Sequence, residues 1–334
     1  MGAGRIFAGL DEAGLGPLLG PLTIGFSALR LPDGCDGGSE LWKRLDSAVS
    51  DEPAKDRTHL IVADSKVVFT RNPRGRARLE RTALCFLGLT RSAHGAPSNG
   101  RDLLQTLSGI VGPTTDVLAH HPWYERLPEH LPVWTEEDLL ARLTDGLRDA
   151  LDRCDVQLLA AGVRVVPAGE LNASYDQTQN KGLTLWLKTA DLMGWLWRAY
   201  PEEDITLVVD RHGGRTHYGR LLAQSFPFAA VETVDESRGR SQYLVRERIP
   251  GARAMRIYFR ERAEHYSFPV ALGSCLAKYL REISMQAFND YFGGLQPNLR
   301  PTAGYVTDAR RWLADAREAV RAADLAPEVL IRTR

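Results

Sequence analysis

The chain has 334 residues, of which 44% are apolar and 25% charged, the balance of a folded globular protein with material for a large core in one domain or two. Forty-two basic residues offset forty-two acidic ones, so any attraction to nucleic acid or an anionic membrane must come from local patches, because no global field exists. Cys35, Cys85, Cys154 and Cys275 stand too far apart for a zinc motif or a dense disulfide framework, and acids interrupt the apolar start, so a reducing, cytoplasmic setting with no membrane contact is expected.

Taken in chain order, Arg5 to Leu10 reads as a strand ending in Asp11 and Glu12, and Gly14, Gly16, Pro17, Gly20 and Pro21 then break regular structure. A second strand is predicted from Leu22 to Leu31, a loop from Pro32 to Ser39 and a short helix around Leu41 to Val49. His59 to Ala63 leads into Asp64-Ser65-Lys66, and Arg74 to Leu89 has helical spacing. From Ser92 to about Asp155 the pattern weakens: His94 to Asn99 reads as a loop, Pro113, Pro122, Pro128 and Pro132 punctuate, and Glu136 to Cys154 forms an amphipathic helix. Regularity returns with a strand at Val156 to Pro167 and a long helix from Leu183 to Tyr200, whose Trp186, Trp195 and Trp197 read as core anchors. Ile205 to Val209 is a short β-branched run that delivers Asp210 at its carboxyl end, as buried strands do. Alternating segments follow at Ala229 to Val234 and Arg256 to Phe259, then helices from about Pro269 to Tyr291 and from Thr307 to Ala323. Interleaved strands and helices predict an α/β sheet covered on both faces.

Two strands that each end in carboxylates pose an electrostatic problem, because neighbouring acids raise one another's pKa unless a cation neutralises them. Mg²⁺ and Mn²⁺ favour carboxylate oxygens, and two such ions about 3.5 to 4 Å apart stabilise the attacking and leaving oxygens of phosphodiester hydrolysis. Asp11, Glu12 and Asp210 suit that role if their strands are neighbours. An aspartate after a strand is otherwise a turn or cap residue.

The run Gly9-Leu10-Asp11-Glu12-Ala13-Gly14-Leu15-Gly16-Pro17-Leu18-Leu19-Gly20-Pro21 resembles the signature that opens type 2 ribonucleases H. Asp64-Ser65-Lys66 is similar to that family's Asp-Ser-Lys motif, Ala173-Ser174-Tyr175 through Leu187 to its Ala-Ser segment and following helix, and Leu207 to Asp210 to its third-carboxylate strand. Ser274 to Lys278 resembles its Ser-Ile-(Leu/Ile)-Ala-Lys helix and Gly304-Tyr305-Val306-Thr307 its Gly-Tyr-x-Thr motif, all in the family's order. The resemblance implies a ribonuclease H-like mixed five-stranded sheet flanked by helices. It divides the chain into a catalytic core at 1–89 and 156–292, an insertion or cover at 90–155, where the family is shorter, and a C-terminal helical extension at 293–334. It further implies a monomeric, Mg²⁺- or Mn²⁺-dependent endonuclease acting on RNA/DNA hybrids or on ribonucleotides embedded in a DNA duplex. Asp11, Glu12, Asp210 and a fourth carboxylate would hold two ions, with Asp11 bridging them. Gly14, Leu15, Gly16, Ser65, Lys66, Ser174 and Tyr305 would contact substrate.

For the fourth carboxylate, the family's spacing from the Ala-Lys pair lands on Glu264, a longer arm than the family's aspartate; Asp235 and Glu236 compete, and Glu264 is preferred. Leu15 occupies the place of a family cation in the glycine-rich turn, so a phosphate contact is lost while the backbone donors survive. Tyr305 is either the family's sugar-stacking tyrosine or a core residue at a helix start. The arginines at 71, 74, 76, 78 and 81, and those at 238, 240, 246 and 248, could track a nucleic-acid backbone, and a solvated helix face explains the first group as well. Two other readings remain open: a ribonuclease H-like module that grips nucleic acid without efficient cleavage, and a nuclease of the same chemistry acting on another structured nucleic acid. A dinucleotide-binding loop is disfavoured because acids precede the turn and no complete fingerprint follows.

Overall fold

In the computed structural model, residues 5–35, 37–90, 95–108, 120–249 and 253–333 are described. His94 and Pro113 of the sequence reading lie outside them. The predicted five-stranded sheet is instead seven-stranded. In chain order its strands are β1 (Arg5–Ala13) and β2 (Leu22–Leu31), then, after a two-stranded β3 (Val49–Ser50) and β4 (Leu60–Ile61) that pair only with each other, β5 (Gln157–Val166), β6 (Ile205–Asp210), β7 (Ala229–Ser237), β8 (Arg240–Glu247) and β9 (Ala254–Arg260). The spatial order is β5-β2-β1-β6-β9-β8-β7. β1, β6 and β9 run parallel, while β2, β5, β8 and β7 are attached antiparallel to their neighbours. The β7–β8 hairpin accounts for the two additional strands. The segment expected at Ala229 to Val234 is β7, most of which is exposed, and β8 beside it is the strand that the sequence reading lacks.

The helices that matter for the site are α1 (Pro73–Gly88), α2 (Glu137–Arg153), α3 (Ala168–Thr178), α4 (Lys181–Ala199), α5 (Phe268–Leu295) and α6 (Val306–Asp315). Two hydrophobic cores lie on opposite faces of the sheet, as a strand's period of two requires. On one face Ile6, Ala8 and Leu10 of β1 meet Trp186, Leu192, Leu196 and Trp197 of α4; Trp195 is only partly buried there. On the other, Phe7 shares a core with α5, α1 and α2. Trp123 and Tyr124, from the 90–155 segment, belong to that second core, and Trp123 meets Phe288 edge-on at 5.3 Å. Glu80 of α1 ties the same segment down, since its buried carboxylate accepts the backbone N–H groups of Val133 (2.8 Å) and Trp134 (2.6 Å) and the hydroxyl of Tyr279 (3.1 Å).

Helix α5 lies directly on β1 and β2. A methyl group at Gly9 would collide with the backbone of Val270, and one at Gly25 with the carbonyl of Gly273. Backbone therefore packs on backbone, and polar ties hold the contact: Ser27 Oγ donates to the Pro269 carbonyl (2.9 Å) and Thr23 Oγ1 to that of Ala277 (3.0 Å). No helix among the described residues is long and apolar enough to cross a membrane. Gly25→Ala should destabilise the fold by at least the ~1–3 kcal/mol of core overpacking. Chemical denaturation would measure the loss, and a variant as stable as the parent would contradict the backbone contact.

Candidate metal and nucleic-acid site

The parallel trio β1, β6 and β9 ends on one side of the sheet. Leu10 pairs with Val209 across β1 and β6, so the next residues, Asp11 and Asp210, leave neighbouring strands side by side. The chain past β9 turns through Arg262, at φ 53°, into a single 3-10 turn, Ala263–His265, that carries Glu264. One carboxylate oxygen from each of Asp11, Glu12 and Asp210 falls within a 4.8 Å group, and Glu264 interacts electrostatically with all three. Glu264 is buried, 7% exposed, and also lies within 4.8 Å of Asp64 and His265.

Asp11, Glu12 and Asp210 are each held by backbone N–H groups. Asp11 accepts the Glu12 N–H at 2.8 Å and a hydrogen bond from Ser274 of α5. Asp210 accepts the Ala263 N–H at 3.0 Å, which fixes the turn bearing Glu264 to the end of β6. Ser274 Oγ is 3.0 Å from Ser65 Oγ, and Asp64 caps the short helix Ser65–Val68 by accepting the Lys66 N–H at 2.9 Å. These links bring Ser65 beside Asp11, and Lys66 within electrostatic reach of Glu12 and Asp210.

Crowding and burial leave the acids short of positive charge. Burial raises Asp11 well above the ordinary carboxylate range, reinforced by Glu12 and Asp210. Burial together with Asp210 lifts Glu12 to about 7, and burial lifts Asp210 to about 6, with Glu264 adding to it. The donor set is all oxygen in its central group, with neither thiolate nor imidazole, and fits a hard divalent cation such as Mg²⁺ or Mn²⁺.

The remaining residues singled out from the sequence fall in different places. Asp235 and Glu236 sit on the β7–β8 hairpin, where Asp235 pairs with Arg240 at 2.7 Å and Glu236 takes hydrogen bonds from Tyr243 and His217. Both are bound up locally, and neither joins a carboxylate group. The glycine-rich turn follows Glu12 directly: Gly14 has φ +83° above the Arg281 side chain, Leu15 packs on the α4-side core, and Gly16 is exposed. Ser174 is half-buried on α3 and its hydroxyl makes no hydrogen bond among the described residues, whereas the adjacent Tyr175 lines a cavity of about 350 Å³ beside Leu15 and Gly16. Tyr305 is 48% exposed at the start of α6, with the Arg281 guanidinium 5.9 Å from its ring centre, so the core reading is excluded. The first arginine cluster is split: Arg71, Arg74 and Arg76 are exposed, as a solvated face requires, while Arg78 is buried. Arg74 and Arg78 donate to the buried Asp56 at 2.6–3.0 Å and Arg81 lies 3.9 Å from it, leaving Arg71 and Arg76 outside this knot. Arg238, Arg246 and Arg248 are exposed on the hairpin.

No family model and no curated protein matches the sequence. The fold itself is of the mixed α/β class anticipated, a large mixed sheet flanked by helices. Among solved structures, the chain is similar to ribonuclease HII from Archaeoglobus fulgidus, in its complex with PCNA, at 16% identity and a TM-score of 0.42, covering 98% of this chain and 94% of that one. Ribonuclease H2 from Pyrococcus horikoshii gives 14% and 0.44 over 98% and 92%, and ribonuclease H3 from Aquifex aeolicus 14% and 0.39 over 98% and 71%. Superpositions this loose add no weight to any function.

A carboxyl group whose pKa is raised by folding keeps its proton in the fold, so its penalty is absent below the unfolded value and grows as pH climbs to the folded one. For Glu12 that window runs from about 4.5 to about 7. In cation-free protein, Glu12→Gln should therefore raise the melting temperature at pH 8 and leave it unchanged at pH 4. Melting curves that coincide at both pH values would contradict the assignment.

Proposed function

We propose that this protein is a divalent-metal-dependent endonuclease of the type 2 ribonuclease H kind, hydrolysing RNA in RNA/DNA hybrids or at ribonucleotides embedded in a DNA duplex. The observation that carries the reading is the convergence of Asp11, Glu12 and Asp210 from adjacent parallel strands, where burial holds the pKa values of these three up, with Glu264 beside them. The ordered resemblance of six sequence motifs to that family supports it. Asp11, Glu12, Asp210 and Glu264 would hold Mg²⁺ or Mn²⁺. When bound, such cations polarise the scissile phosphate and neutralise the charge that develops on it.

The chain's own residues set the stage for that step. Ser274 and the Glu12 N–H fix the Asp11 carboxylate, and the Ala263 N–H fixes Asp210, so the acids need little rearrangement to meet a cation. Lys66 brings positive charge to the same opening, suited to a phosphate neighbouring the cut. The exposed ring of Tyr305 is available to stack on a sugar or base. Leu15 at the tip of the glycine-rich turn favours a second reading of the substrate, in which the same chemistry acts on, or the same surface merely grips, another structured nucleic acid.

With Mg²⁺ or Mn²⁺ the protein should cut a DNA duplex containing ribonucleotides and leave a 3′-hydroxyl and a 5′-phosphate. Asp11→Asn should lower the rate by on the order of 100-fold or more while sparing binding. Metal-dependent cleavage confined to ribonucleotide-free branched duplexes would select the second substrate, and tight binding with no cutting would select the module. Glu264→Gln should cost roughly 10- to 100-fold. Asp235→Asn should stay within about twofold, as a surface change of under ~0.5 kcal/mol does. The reverse order for that pair would move the fourth ligand to the hairpin.

A further inference from the structure

Arg332 lies at the opposite end of the sequence from the carboxylate pair, yet it is 3% exposed and sits inside the glycine-rich turn. Its Nε donates to the Gly20 carbonyl at 2.7 Å, and its Nη1 to the carbonyls of Gly14 at 2.5 Å and Pro17 at 3.4 Å. Its backbone N–H closes the same loop on Leu18 O at 2.9 Å. Asn172 of α3 anchors the segment that delivers it: Nδ2 donates to the carbonyls of Glu328 and Ile331, and Oδ1 accepts from both the N–H and the hydroxyl of Thr333.

Burying a guanidinium without a counter-ion is costly, and Arg332 makes no ion pair among the described residues; a second buried guanidinium, Arg281, acts on it unfavourably, with Nη2 donating to the Ala303 carbonyl and Glu282 the carboxylate that acts on Arg281. Arg332 Nη2 has no hydrogen-bond partner among the described residues. Arg332, a buried positive charge with no carboxylate partner among the described residues, favours an anion at the turn above it. The turn is equipped for one. No described group accepts the N–H of Leu15 or Gly16, Gly16 is exposed, and the adjoining cavity of about 350 Å³ is lined by Tyr175, Lys181 and Thr184 as well as by Arg332 itself. With the carbonyls of Gly14, Pro17 and Gly20 taken up by Arg332, the Leu15 and Gly16 N–H groups stay without a described acceptor beside buried positive charge, and backbone donors so placed can receive a phosphate.

We propose that Arg332 is a positioning residue that shapes the Gly14–Gly20 turn from beneath into a seat for a nucleic-acid backbone phosphate. The substrate class rests on the nuclease reading, but the bracing and the affinity are measurable without cleavage. Arginine is required over lysine, because one ammonium cannot reach carbonyls on three sides.

The test compares the parent chain with Arg332→Ala and Arg332→Lys in two measurements: the Kd for a fluorescent RNA/DNA duplex without divalent metal, and hydrogen exchange at the Leu18 and Leu19 amides, which are bonded to Gly304 O at 2.8 and 3.2 Å. Both variants should bind roughly tenfold more weakly, a loss of ~1.4 kcal/mol, and exchange those two amides faster with the sheet amides unchanged. Millimolar guanidinium ion should restore both properties to Arg332→Ala, whose side-chain space is vacated, and to neither in Arg332→Lys. A parent chain that binds the duplex and never cuts it would sink the nuclease reading and leave the brace standing. Parent-like affinity and exchange in Arg332→Ala, a loss that guanidinium does not reverse, or a parent chain that does not bind the duplex would each overturn the proposal.

Discussion

Mutual repulsion among Asp11, Glu12, Asp210 and Glu264 is the constraint around which the rest of the protein is arranged. Four acids at the ends of three parallel strands would spread apart in a flexible chain, and burial sharpens the conflict. The fold resists by fixing the backbone beneath them: β1, β6 and β9 are in continuous register, and the Ala263 N–H locks the end of β6 to the turn after β9. Rigidity of this kind costs stability in the cation-free protein and leaves little to rearrange when a cation arrives, a trade typical of functional sites.

Local features of this site were legible in the sequence, and those that depend on chain separation were not. Asp11 and Glu12 stand in a run whose glycines and prolines mark the turn that follows, and Asp210 ends a β-branched run too short to be a helix; both deliveries can be read from a handful of residues. Glu264 required a count from a distant motif, since the 3-10 turn that carries it has no periodicity. Within the β7–β8 hairpin the alternating run at Ala229 to Val234 was legible as a strand, whereas β8, whose Tyr243, Leu244 and Val245 are buried in succession without alternation, was not. Arg332 carried no signal: one arginine among many is marked only by what it touches, and its partners lie more than 300 positions away.

The arginines divide by the same logic. A cluster such as 71 to 81 looks alike whether it tracks a polyanion or neutralises one acid, and here three of its members converge on Asp56, whose carboxyl Arg74 and Arg78 hold down to about 2. Charge density along a sequence therefore identified the cluster without identifying its job. Tyr305 shows the opposite case, in which exposure alone decides between a core residue and a surface ring.

The contact of α5 with β1 and β2 has a consequence for precision. Where glycine meets glycine across a helix–sheet boundary, the separation is fixed by the van der Waals radii of main-chain atoms, with no rotamer to absorb error. Ser274, one position beyond Gly273, inherits that accuracy and passes it to Asp11 on one side and Ser65 on the other. The glycine seam thus works as a gauge block: it sets the distance between the helix that carries the hydroxyl and the strand that carries the acid, and it would hold that tolerance even while loops around the opening move.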